Sequence, residues 1–144
     1  MQYRVGRMGR VIVARFEDRE DILENLAVIA RNENIRSAVF NLIGGIKAGK
    51  IVVGPEEEIL PPKPVWRAIQ ESTEVIGVGT IFWHENEPKI HFHGSFGKRD
   101  AVKVGCLRGP SETFLVLEVV IFEIDGIDAK REMDQESGLV LLRL

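Results

Sequence analysis

His91 and His93 stand two residues apart in PKIHFHGSFG (88–97), a run with strand character. Side chains at i and i+2 of a strand share a face, so the two imidazoles stand side by side. Such a pair suits zinc, copper or iron. The one cysteine, Cys106, follows in VGCLRG, beyond the turn-like GSFGKRD. If 88–96 and 101–108 pair as a hairpin, Cys106 falls across from the two histidines. Two imidazoles and a thiolate make three corners of a tetrahedral zinc site, with the fourth left to water or an exogenous ligand. Zinc is the expected ion, and other divalent transition metals fit the same donors. Plainer readings stand beside this one. An H-x-H pair can be polar surface, and a lone cysteine is often a small buried hydrophobe. His84, in the turn WHENE, is expected to be exposed, although near enough to contribute to a site.

Three protein ligands and an open position is also the layout of catalytic zinc, which acidifies bound water and polarises carbonyls. An enzyme would then need an acid or base within reach of that water. Glu118, Glu123 and Asp100 are candidates, with Arg15 as an anion-binding group. Each carboxylate has a plainer reading, as exposed surface or as a partner of Arg99, Lys103 or Arg131, so no catalytic residue is singled out. GGIKAGK (44–50) satisfies G-x-x-x-x-G-K, but Ile51 stands where a P-loop needs Ser or Thr, and a strand follows where it needs a helix. The plainer reading is a strand–turn–strand connection.

The elements that must position these residues are mostly strands. RVIVARF (10–16) is short and β-branched. In EDREDILENLAVIARNEN, Ile22, Leu23, Leu26, Ile29 and Ala30 fall at helical spacing, predicting one main helix over about 19–33. Asp18 is its expected N-cap. Strands are expected at 35–46, 50–54, 73–84, 88–97, 101–109 and 112–124, and a last one in GLVLLRL. PEEEILPPKPVW reads as an exposed loop and WRAIQEST as a short helix or irregular stretch. The pattern is α+β, with a largely antiparallel, curled or barrel-like sheet of about seven or eight strands.

With 144 residues, 44% apolar and 28% charged, the chain fits one globular domain. No apolar run approaches a membrane span, the N-terminus lacks a signal-peptide core, and a single cysteine excludes an internal disulfide. The expected compartment is the cytoplasm. A net charge of −3 opposes wholesale binding to nucleic acid. A trimer would carry about −9, three times the chain's charge, which would repel DNA unless Arg4, Arg7 and Arg10 cluster.

In order and spacing, several of these features resemble the PPC (plant and prokaryote conserved) domain. They are His91 and His93, Val104-Gly105-Cys106-Leu107, the apolar run 114–124, and Arg131, Asp134 and Gly138 before a terminal strand. The N-terminal half is also similar, with a strand carrying Arg15, an acidic cap, the helix and LIGGI. The resemblance covers nearly the whole chain, as one PPC-like domain (1–144) with a short basic arm (1–9). It implies a small α+β domain that forms homotrimers. In prokaryotic members it also implies a metal site built from H-x-H and the histidine of a G-G-H-L segment. Cys106 stands where that histidine usually is, an exchange that keeps zinc competence with a softer donor. The expected function is a trimeric, metal-binding assembly or regulatory module, associated with DNA or DNA-bound partners. The alternative is a zinc-dependent enzyme. Plant members accompany R-G-R-P hooks that enter the minor groove; this chain has none. A plant partner-contact segment, G-R-F-E-I-L, corresponds here to ESTEVI (71–76), which keeps only Glu74 and two apolar positions.

Overall fold

The structure is a computed structural model that describes all 144 residues. In chain order it contains β1 (Arg7–Glu17), α1 (Ile22–Asn32), β2 (Ser37–Pro55), β3 (Pro64–Ile69), β4 (Thr73–His84) and β5 (Glu87–Lys98). β6 (Ala101–Asp125), β7 (Lys130–Met133) and β8 (Val140–Arg143) complete it. Six strands form one sheet in the order β1-β6-β5-β4-β2-β3, and β7 and β8 form a small second sheet. Every pairing is antiparallel. β2 pairs with β4 on one side and β6 on the other, so the sheet curls and β2, β4, β5 and β6 close a ring. The fold is α+β with a curled antiparallel sheet, as the alternating apolar runs predict.

The strands expected at 35–46 and 50–54 are one strand, and so are those at 101–109 and 112–124. Turn-like residues bend these strands without ending them. The GGIKAGK stretch lies inside β2, where the pairing with β6 shifts register at Gly44/Gly45, Ile46/Ala48 and Ala48/Lys50. Bulges of this kind bend a strand and keep its neighbours paired. No helix follows it, so the phosphate-loop pattern has no structural counterpart. The first half of WRAIQEST, Trp66–Ile69, is not helix or irregular chain but part of β3, an edge strand paired with the second half of β2.

The helix starts at Ile22, later than its acidic prelude suggests, and its N-cap is Asp21, not Asp18. Asp21 accepts from the Glu24 N–H at 2.7 Å and the Ser111 N–H at 2.6 Å, tying the helix to β6. Asp18 instead accepts from the Leu115 N–H. Ile22, Leu26 and Ala30 repeat at i, i+4 and i+8, and all three are fully buried. They join a core in which Phe40 stacks on Phe92 with ring centroids 5.8 Å apart, and Phe96 meets Phe92 edge-on. The stack requires glycine beside it on β4: a Cβ at Gly79 would collide with the Phe40 ring, and one at Gly77 with the Phe92 ring. Phe92 faces this core, so His91 and His93, one residue either side, face outward.

β1 begins within the sequence expected to form a basic arm. Arg7 lies 3.8 Å from Asp125, and Arg10 is held by Glu123 at 2.7 Å and Glu33 at 2.9 Å. No helix is long and apolar enough to cross a membrane.

Candidate metal centre and its cavity

β5 and β6 form the expected hairpin, with His93 directly opposite Cys106. Opposed residues of an antiparallel pair point to the same face. His91, His93 and Cys106 therefore share the outer face, and their donor atoms lie within 4.8 Å of one another. The imidazoles stand edge to face, with Nε2 of one 3.0 Å from Nε2 of the other. One nitrogen must donate a proton for that hydrogen bond and the other must accept, so the accepting ring is neutral. Burial pushes the His91 pKa down to about 4, assisted by Arg131, His93 and Arg108. A histidine held neutral is a histidine ready to ligate. Cys106 is buried, and burial pushes its thiol pKa up, against the opposing pull of Arg108, the Phe92 backbone and Arg131.

The three residues sit on one wall of a cavity of about 570 Å³. The strand row that places them continues on both sides. Val78 of β4 is opposite His93, and Val52 of β2 is opposite Cys106. The other walls come from outside the ring. Pro62 contributes from the connection before β3, Pro64 and Trp66 from β3 itself, and Gly138 to Leu141 from around β8. The proline-rich segment read from sequence as exposed loop thus also walls the site.

Arg131 of β7 closes the cavity floor. It is 7% exposed, and its Nη2 donates to Thr80 Oγ1 at 3.0 Å, while Thr80 is opposite His91 on β4. Its Nε has no hydrogen-bond partner. Burial lowers the Arg131 pKa, helped by Arg108 and opposed by Cys106. His84 is half-buried, not exposed, and lies outside the donor cluster. Its Nδ1 is 2.8 Å from the Arg131 carbonyl, which holds β7 against the end of β4.

Among the acid–base candidates, none lines this cavity. Glu123 is paired with Arg10, Arg15 with Glu17, and Glu118 faces a different groove beside Ile43 and Ile76. Asp100 lies in the exposed β5–β6 turn. Three lining cations escaped the reading of the sequence: Lys89, Arg108 and the inward course of Arg131. The first two had a signal. Lys89 is two residues before His91 and Arg108 two after Cys106, so strand alternation puts both on the ligand face.

Several known proteins share this fold. A metal-containing protein from Archaeoglobus fulgidus superposes with a TM-score of 0.88 at 21% identity, covering 100% of both chains. A plant- and prokaryote-conserved protein from Pyrococcus horikoshii gives 0.87 at 26% identity, over 100% of this chain and 98% of that one. A Ralstonia eutropha protein described as a candidate DNA-binding protein gives 0.77 at 22% identity, over 92% and 90%. No curated protein sequence matches the chain. The family model for the Plants and Prokaryotes Conserved (PCC) domain matches residues 3–125, which include the helix, the H-x-H strand and Cys106, and the chain belongs to that family.

Proposed function

We propose that the chain is a zinc-binding domain working as a trimeric assembly or regulatory module, with His91, His93 and Cys106 as the ligands. The observation that carries this reading is the convergence of three donor atoms within 4.8 Å, from two strands in fixed register. The donor set fits the ion. Two imidazoles and a thiolate are borderline-soft ligands, and around a tetrahedral zinc their donor atoms would stand about 3.3–3.7 Å apart. The exposed His93 ring can swing from its 3.0 Å contact with His91 to meet that spacing. Bound there, the ion would supply Lewis acidity at the cavity wall. The chain's own part is to hold His91 neutral, to cover Cys106 and to keep the fourth direction open to the cavity.

Trimer formation is supported by the family and by an apolar strip beside the ligand row. Ile43, Ile76 and Val104 fall in one register line across β2, β4, β5 and β6, and are 52%, 63% and 60% exposed. Val78 and Val102 extend it. On β5 the line passes through Ser95, and exposed apolar side chains on a strand face are a surface that a second copy can cover. A cytoplasmic location is supported by the free thiol of Cys106.

The second reading, a zinc-dependent enzyme, draws on one observation: the ligand row faces a cavity of about 570 Å³. Against it, the cavity lining holds no Asp or Glu to act as general base. Direct DNA binding draws on the description of the Ralstonia protein. The net charge of −3 and the engagement of Arg10 by two glutamates oppose it.

Cobalt(II) substitution tests the site. The reading expects one cobalt per chain with a thiolate charge-transfer band in the near ultraviolet, and the loss of that band in Cys106→Ser. Light scattering on the same samples expects three chains per particle. Cobalt uptake without a thiolate band would remove Cys106 from the ligand set, and a monomeric mass would remove the trimer.

A further inference from the structure

The cavity beside the donor cluster has a charge unlike that of the molecule. Across the chain, acidic residues outnumber basic ones by 22 to 19. The cavity is lined by Lys89, Arg108 and Arg131, and by no carboxylate. These three cations are also absent from the chain's ion pairs, which occupy Arg7, Arg10, Arg15, Arg19, Arg31, Lys47, Lys63, Lys98, Lys130 and Arg143. Arg131 is the sharpest case. It is more than nine-tenths buried, yet its partners are only a hydroxyl, Thr80 Oγ1, and a carbonyl, Val140 O at 3.5 Å. A guanidinium carries five N–H donors. Two are engaged, and the Nε has no partner. A buried cation without a counter-charge is costly, so one is expected to arrive from outside.

We infer that this cavity binds a small organic oxyanion, a carboxylate or phosphate on an apolar body, with the anionic group directed to Arg131 and Arg108. Planar guanidinium groups bind both oxyanions through paired hydrogen bonds. The volume, about 570 Å³, exceeds what a free inorganic anion needs and lies within the usual range for organic ligands. The rest of the lining suits an apolar body: Trp66, Leu139, Leu141, Val52 and Pro62 face the same space. Lys89, next but one to His91, adds a cation at the rim.

The inference goes beyond the metal reading and does not depend on it. Without an ion, Cys106 is a neutral thiol and the three cations leave the cavity strongly positive. With zinc and a Cys106 thiolate, the ion's two charges outweigh the thiolate's one, and the cavity is more positive still. The cavity favours an anion in either state.

Calorimetric titration tests this with three probes of similar ring size: benzoate, phenyl phosphate and uncharged benzyl alcohol. Each is titrated into protein stripped of metal with EDTA and into zinc-loaded protein, with zinc content measured on the same samples. The expected result is saturable binding of benzoate or phenyl phosphate at one per chain, at least tenfold tighter than benzyl alcohol. Whichever of the two binds more tightly identifies the head group. Arg108 is exposed and free of partners, so Arg108→Met should fold normally and weaken the anion at least tenfold. Arg131→Met should weaken it further, but it also removes the link to Thr80, so Arg108→Met carries the test. Absence of saturable binding in both metal states, equal binding of benzyl alcohol, or unchanged affinity in Arg108→Met would each overturn the inference. The zinc content of those samples reports separately on the metal reading.

Discussion

At the scale of single residues, the site is a consequence of alternation. His91 and His93 flank Phe92, which is buried against Phe40, so the core side chain forces both imidazoles outward. Cys106 joins them because the hairpin register sets it opposite His93. The shared face and the hairpin were legible in the sequence, since strand period and one short turn bring the three together, whereas the Phe40–Phe92 stack was not. Arg131 was visible only as part of a closing motif. Its place on the cavity floor depends on β7 folding back over β4, a contact that no local pattern encodes. Two outcomes are expected here. Cys106→His, which exchanges one zinc-competent donor for another, should keep near-stoichiometric zinc where Cys106→Ser loses it, as read by atomic absorption on dialysed protein. Gly79→Ala should lower stability by about 1–3 kcal/mol in urea unfolding, because its methyl would overlap the Phe40 ring and force the stack apart.

At the scale of elements, two local devices hold the framework of the site. Asp21 caps the helix and also binds the Ser111 backbone, so one side chain joins α1 to the middle of β6. Asp21→Ala should cost about 1–2 kcal/mol, measurable by urea or thermal melting. From the sequence Asp18 is the expected cap. The chain needs a further turn, with Arg19 in the left-handed region at φ 72°, before the helix can start. The other device is Arg10, which links β1 to Glu123 of β6 and to the helix end at Glu33. Arg10 holds the Glu123 carboxyl below its ordinary pKa of 4.5. A carboxylate whose pKa is depressed by folding stabilises the fold above its unfolded pKa, and that contribution is lost as pH falls through the lower, folded value. Glu123→Gln should therefore be less stable than the native chain at neutral pH. The gap should close as pH falls below about 4.5, in paired melts across pH. The long strands β2 and β6 were read as four shorter ones because glycine and proline mark turns on average. Here they mark bends in strands that remain paired.

At the scale of the whole molecule, the curled sheet places two different surfaces side by side. One is the walled cavity with the donor cluster and three cations that lack a counter-charge. The other is the apolar line of Ile43, Ile76 and Val104, one strand step away from the ligand row. If copies of the chain meet on that line, Val104→Asp should shift the particle from three chains to one in light scattering while the circular dichroism of the fold is retained. The composition of the chain hides both surfaces. Its overall acidity masks a basic cavity, and its ordinary apolar fraction masks a strip on one face. The central claim is that His91, His93 and Cys106 hold a metal ion, and its most direct test is the metal content of protein purified without a histidine tag. The account predicts close to one zinc per chain in the native protein and little in His91→Ala or Cys106→Ser, with all three folded. Folded native protein that carries no metal and takes up none on addition of zinc would contradict it.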